Sequence, residues 1–290
     1  MMTMIYKNDH GVEFDLTNNA LSYLVDVTGQ TTAKANLSSV TTGGVDGDRV
    51  NNAQVVPRTL VLTLRVKSGV NVELAKRELC RVVKIKKEGT LVWTQEDRTL
   101  TISGVVESID EPRWTNAVAL QISLHCSYPY WTDIDDQEQE ISEVIDLHYF
   151  TEYPDDQLFF MEEGQAFGIY DFSRSRSFEN LGDADVGMLI EIRAYETVTN
   201  PELVNEDGQF FGLGWAEKPF VMNSGDVVRI NTGRDQKSAI LNGMTNLLGF
   251  LKPKSVWLQM AAGVNTFAIR SDDASTQNMS FSIVFTPAYI

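Results

Sequence analysis

With 290 residues, 43% of them hydrophobic, the chain carries enough apolar material for two packed cores. Its net charge of −16 is confined to one part: residues 1–131 hold 14 Lys/Arg and 14 Asp/Glu, residues 132–290 hold 10 and 26, and no Lys or Arg occurs between Arg113 and Arg174. That balance excludes the basic face that nucleic-acid binding or docking on an anionic membrane requires, and no run approaches the ~20 apolar residues of a membrane span.

The first residues, Met1 to Lys7, lack the basic-then-apolar order of a secretory signal. Ile5–Asn8 and Val12–Asp15 flank a turn at Gly11 and read as a hairpin, and Leu21–Val27 alternates next. Residues 28–54 are rich in Thr, Ser, Gly and Asn and have little periodic apolar signal. So long a stretch inside a compact domain is unusual, so it reads as an extended arm or long hairpin whose partner lies elsewhere, another subunit included. Within it, Gly43-Gly44-Val45-Asp46-Gly47-Asp48 lacks the Lys-Ser/Thr of a phosphate loop and reads as a tight turn.

Leu60, Leu62 and Leu64 share one face of a strand over 59–66. Residues 71–87 fit a helix capped by Asn71, with Ala75, Leu79, Val82 and Val83 at helical spacing. Glu73 precedes Arg77 by four residues, the favourable order for an ion pair. Lys84, Lys86 and Lys87 crowd its C-terminal end, where the macrodipole favours cations. Strands are expected over 90–94, 98–106 and 118–126. The two cysteines, Cys80 on the helix and Cys126 in the last of these strands, are expected to be free buried thiols.

The polar run 132–140 follows Tyr128-Pro129-Tyr130-Trp131 and is the best boundary. The chain therefore divides into a domain over 1–131, a linker over 132–140 and a domain over 141–290. The second domain reads as nearly all β, with strand candidates at 142–149, 166–172, 186–195, 209–213, 226–231, 237–241, 255–260, 264–270 and 278–285. Turn residues at short intervals between them indicate a β-sandwich. Only Met244–Leu251 suggests a helical turn.

No catalytic, cofactor-binding or metal-ligating set emerges, so an enzyme is not expected. His10, His125 and His148 share no ligand spacing with Cys or carboxylates. Neither Asp46-Gly47-Asp48 nor Asp133-Ile134-Asp135-Asp136 meets the calcium-loop pattern, and no Gly-x-Ser-x-Gly elbow occurs. Trp215 and Trp257, with Phe210 and Phe211, either fill the sandwich core or stack on sugar rings.

The ordered series Gly44-x-Asp46-Gly47, Pro57-Arg58 before an alternating strand, the Leu79 helix and Cys126-Ser127-Tyr128-Pro129-Tyr130 resembles the core of siphovirus-type distal tail proteins. Four stretches of the second domain continue the resemblance: Phe178 to Val186, Asn200-Pro201, Ser224 to Thr232 and Ala262 to Phe267. The resemblance implies a mostly β chain: an N-terminal α+β domain with one helix and a hairpin arm, then a jelly-roll or galectin-like sandwich. It implies a structural part of the virion tail tip or baseplate, or of a phage-tail-like particle, made in the bacterial cytoplasm. Six copies would form a ring that joins the tail tube protein to a tail-tip or host-binding protein. DNA would pass through the ring without sequence-specific contact, and no membrane anchoring is implied. Residues 28–54 would be the inter-subunit arm, with Gly43, Gly44, Asp46 and Gly47 at its turn. The competing reading is a two-domain carbohydrate-binding protein that uses Trp215 or Trp257 of the sandwich.

Overall fold

The computed structural model describes residues 2–31, 33–41, 43–44, 46–96, 98–111, 113–114, 117–134, 137–140, 143–145, 169–171, 175–273 and 279–290. The chain is mostly β and forms two compact units: Met1–Asp135 with Ala288–Ile290, and Asp136–Pro287.

The first unit is built on an antiparallel sheet in the order Glu13–Asp15, Met2–Asn8, Glu88–Gln95, Arg98–Asp110, Ala117–Cys126, Arg58–Val66, Ser22–Thr28. The predicted leucine face is its centre. Leu60, Leu62 and Leu64 stand opposite Leu124, Ile122 and Leu120, and all six are buried. Alternation puts every second side chain on one face, so this register gathers six large side chains into one layer.

The single α-helix among the described residues, Val72–Val82, joins two strands that are not neighbours in the sheet. Asn71 caps it, its Oδ1 accepting the Glu73 and Leu74 amides, and Ala75 and Leu79 enter the same core as the leucine layer. The expected Glu73–Arg77 pair does not form; Arg81 pairs with Glu78 at 3.1 Å and Lys76 with Glu111 at 3.2 Å. One expectation fails here for a geometric reason. Cys80 is exposed, because it follows the buried Leu79 by ~100° around the helix.

Cys126 is buried, and burial pushes its thiol up to about 11, with the nearby Arg58 charge pulling the other way. A thiol reagent at neutral pH should therefore label one cysteine per native chain, Cys80, and both after unfolding. Equal labelling rates in the native protein, read by intact mass, would contradict this packing.

Arg58 is also buried, 4% exposed. Its Nη1 donates to the Gln30 carbonyl at 2.9 Å, which also accepts from Trp131 Nε1 at 3.2 Å. Its Nε and Nη2 have no protein partner. The Pro57-Arg58 signal thus ties the segment entering residues 31–54 to the core tryptophan.

Strands Trp131–Asp133 and Gln137–Glu140 take up most of the polar run 132–140 that was expected to be a linker. Trp131–Asp133 pairs with Arg98–Asp110 and with the final strand, Ala288–Tyr289, all in the first unit. Arg98 lies 3.8 Å from the Tyr289 ring centre, and Ala288 is fully buried. Nothing in the pattern of two apolar residues predicts this return of the chain end.

The second unit contains a six-stranded sheet ordered Gln137–Glu140, Met279–Phe285, Met188–Ala194, Val227–Asn231, Ser238–Leu241, Thr245–Asn246. A four-stranded sheet is ordered Ser175–Asn180, Gly263–Arg270, Glu202–Asn205, Phe210–Gly212. Each buries one face, the first through Ile190, Ile192, Ile230, Phe281 and Ile283, the second through Phe178, Leu203 and Phe267. Two sheets with one apolar face each make a sandwich. The expected strand over 255–260 is absent; that stretch makes only a bridge, Met260 to Val186. The Ser175–Asn180 strand was not expected, since Phe178 is its one large apolar residue. Of the calls at 142–149 and 166–172, the pairing of Glu143–Ile145 with Ile169–Asp171 is described, and the rest lies outside the described residues. The expected helical turn near 244–251 is a short 3-10 turn, Leu248–Phe250.

Candidate functional site

Residues 28–54 form the predicted hairpin. Ala35–Val40 pairs with Arg49–Val55, and every residue of both strands is exposed. The register places Ala35 opposite Val55 and Leu37 opposite Ala53, so these four share one face. Leu37 is 57% exposed and Val55 40%. The other face carries Asn36 opposite Gln54 and Ser38 opposite Asn52. Gly43, Gly44, Asp46 and Gly47 lie in the connection between the strands, all exposed, and Thr42 and Val45 fall outside the described residues. An isolated two-stranded ribbon is marginal in water, and an apolar face on one is surface awaiting cover.

The second unit places the two tryptophans in different surroundings. Trp215 sits in a turn, its backbone bridged to Lys218, half-buried. Trp257 packs on Phe211, ring centres 5.0 Å apart, and lines an open cleft of about 260 Å³. The cleft also holds Asp185, Glu206, Asp207, Gln209 and Gln259. Glu206 and Asp207 stand on the turn between Glu202–Asn205 and Phe210–Gly212. That turn is closed by Asn205, whose Oδ1 accepts the Gln209 amide at 2.8 Å, and by Gly208 at φ 77°. Gln259 donates through Nε2 to the carbonyls of Thr232 and Leu258, at 3.2 Å each. The sequence singled out Trp257 but not its carboxylate neighbours, which come from a hairpin turn some fifty residues away.

The buried polar side chains described in this unit are Asn180, Asn200, Thr232 and Asn265. One lies in each of the four stretches that carried the resemblance there. Asn180 Nδ2 donates to the Ala184 and Met260 carbonyls. Thr232 Oγ1 accepts the Met188 amide at 2.9 Å and donates to the Met188 carbonyl. Asn265 bonds both ways with the Ala261 backbone. What reads as turn chemistry in the sequence is a set of interior staples, each satisfying backbone that would otherwise be orphaned.

Among the described residues no group of three or more His, Cys, Asp or Glu is placed to hold a metal ion. No helix among them is long and apolar enough to cross a membrane. Two β-rich units are thus present, and the first bears the exposed apolar ribbon. Residues 181–289 match the family model described as siphovirus-type tail component, C-terminal domain. Over those residues the chain carries that domain, and the whole chain has a fold seen in a solved tail protein. That fold is shared with the crystal structure of the SPP1 Dit protein (gp 19.1), described as a paradigm of the hub adsorption apparatus in phages infecting Gram-positive bacteria. The TM-score is 0.67 at 17% identity, with all of both chains covered. The phage P2 baseplate in its activated conformation with calcium matches at TM-score 0.45 and 11% identity over 98% of each chain. No curated protein sequence matches significantly.

Proposed function

We propose that this chain is the distal tail hub of a siphovirus-type tail, a homohexameric ring at the tail tip or baseplate. The ring joins the tail tube protein to the tail-tip or host-binding protein and leaves an axial passage for DNA. It is a structural part and not an enzyme. The division of labour follows the charge: the neutral domain of residues 1–131 makes the ring contacts, and the acidic sandwiches of 141–290 on neighbouring copies repel one another. The observation that carries this reading is the Ala35–Val55 ribbon, whose apolar face has no cover among the described residues. A neighbouring copy supplies that cover, and such contacts repeated head to tail close into a ring.

Light scattering on a sizing column, with negative-stain images of the peak, tests the proposal. The expected species has six times the 32.5 kDa chain mass and a central hole. A monomer that stays monomeric when mixed with its tail tube protein would refute it.

A further inference from the structure

The cleft beside Trp257 joins three features that rarely meet by accident of packing. It offers a large aromatic side chain, carboxylates with no ion-pair partner among the described residues, and side-chain amides held in place. The indole is braced from behind by Phe211, so its position does not depend on a ligand. Glu206 and Asp207 make no ion pair among the described residues, and Asp185 uses Oδ1 to accept the Ala262 amide at 3.3 Å. Gln259 spends its Nε2 donor on backbone carbonyls, and its Oε1 accepts no hydrogen bond among the described residues. Gln209 holds its turn through its backbone amide and Oε1, leaving Nε2 as a donor.

Ligand classes can be sorted by this chemistry. A purely apolar molecule would strip water from three carboxylates without compensation. A phosphate or uronate would face the same carboxylates, and no Lys or Arg lines the cleft among the described residues to offset them. A bare metal ion takes an all-oxygen shell and would leave the Gln209 Nε2 donor without an acceptor. A pyranose ring presents C–H groups to an aromatic face and hydroxyls at its edge that donate to carboxylates and amide oxygens. We infer that the Trp257 cleft is a saccharide subsite, selective for neutral or amine-bearing pyranosides over phosphate-bearing glycopolymers. Trp257 is the stacking platform. Glu206, Asp207 and Asp185 accept hydroxyl or ammonium donors, and Gln209 and Gln259 orient the ring. Trp215, the other tryptophan flagged in the sequence, is not part of it. The inference does not rest on the ring, because the cleft lies wholly within the second unit of one chain.

Calorimetric titration of the full-length protein with N,N′,N″-triacetylchitotriose, with the free-amine glucosamine trimer and with poly(glycerol phosphate) tests it. Saturable binding of at least one of the two sugars is expected, with none of the polyphosphate. Trp257→Ala and the double variant Glu206→Gln/Asp207→Asn should each weaken that binding by about tenfold or more, the worth of one ring contact or charged hydrogen bond. Trp257→Ala also removes packing on Phe211, so the double variant on the exposed turn decides if the first fails to fold. The melting curve of each variant confirms the fold. The inference is overturned if neither sugar binds the native protein, if the double variant binds as tightly as the native chain, if poly(glycerol phosphate) binds in preference, or if the cleft carboxylates instead take up calcium with no sugar bound.

Discussion

Leu37→Asp is expected to abolish ring formation while leaving the folded chain intact. Leu37 shares its face of the ribbon with Ala35, Ala53 and Val55 and is 57% exposed in the single chain. A carboxylate there meets water in the monomer, so the melting temperature should move little. In a ring the same carboxylate would be buried without a partner. An uncompensated buried charge costs about 3–5 kcal/mol, which is on the order of a hundredfold or more in each contact's association constant. Repeated around a ring, that loss leaves only monomer. Gln54→Glu adds the same charge to the opposite face of the same ribbon and should leave assembly unchanged. Masses from light scattering of the three proteins, at equal concentration, give the answer. A ring that survives Leu37→Asp would show that this face is not the contact.

The second large effect belongs to folding. Gly214→Ala should destabilise the second unit by about 2–5 kcal/mol. Gly214 has φ +77°, and a Cβ there would lie 2.0 Å from Asn200 Oδ1 and 2.5 Å from the Phe220 amide nitrogen. Those two atoms form a buried hydrogen bond of 2.8 Å, and Asn200 Nδ2 also donates to Asp272 at 2.6 Å. The substitution therefore adds backbone strain of about 1–2 kcal/mol and orphans a buried amide at about 1–3 kcal/mol. Gly208→Ala separates the two contributions. Its φ is the same +77°, but a Cβ would meet nothing within 4 Å, so only the strain remains. Denaturant melts followed by tryptophan fluorescence should rank the native protein, Gly208→Ala and Gly214→Ala in that order. Equal losses for the two variants would mean the Asn200 node contributes nothing.

The same node shows where sequence reading stopped. Asn200-Pro201 stood out as a motif with no more content than a turn. Its content is the meeting of Asn200 with Phe220 and Asp272, residues twenty and more than seventy positions away. Likewise Trp257 was visible as an aromatic of undecided role, and its cleft was not. The carboxylates that give the cleft its chemistry, Glu206 and Asp207, look like any polar turn until a sheet brings that turn beside the tryptophan.

Patterns of local period were legible. The alternation of Leu60, Leu62 and Leu64, the Asn71 cap, the helix through Leu79 and the missing core face of residues 28–54 all follow from one strand, one turn or one helix at a time. Each is dictated by side chains within a few residues of one another, so the sequence alone determined it. Three decisions belonged to the tertiary structure. One was the exposure of Cys80, set by which arc of the helix meets the sheet. Another was the return of Ala288–Tyr289 to pair with Trp131–Asp133. The third was the identity of the cleft around Trp257. All three depend on contacts between residues far apart in the chain, whose energies come from packing and buried hydrogen bonds, and no local period in the sequence encodes which distant surface will supply them.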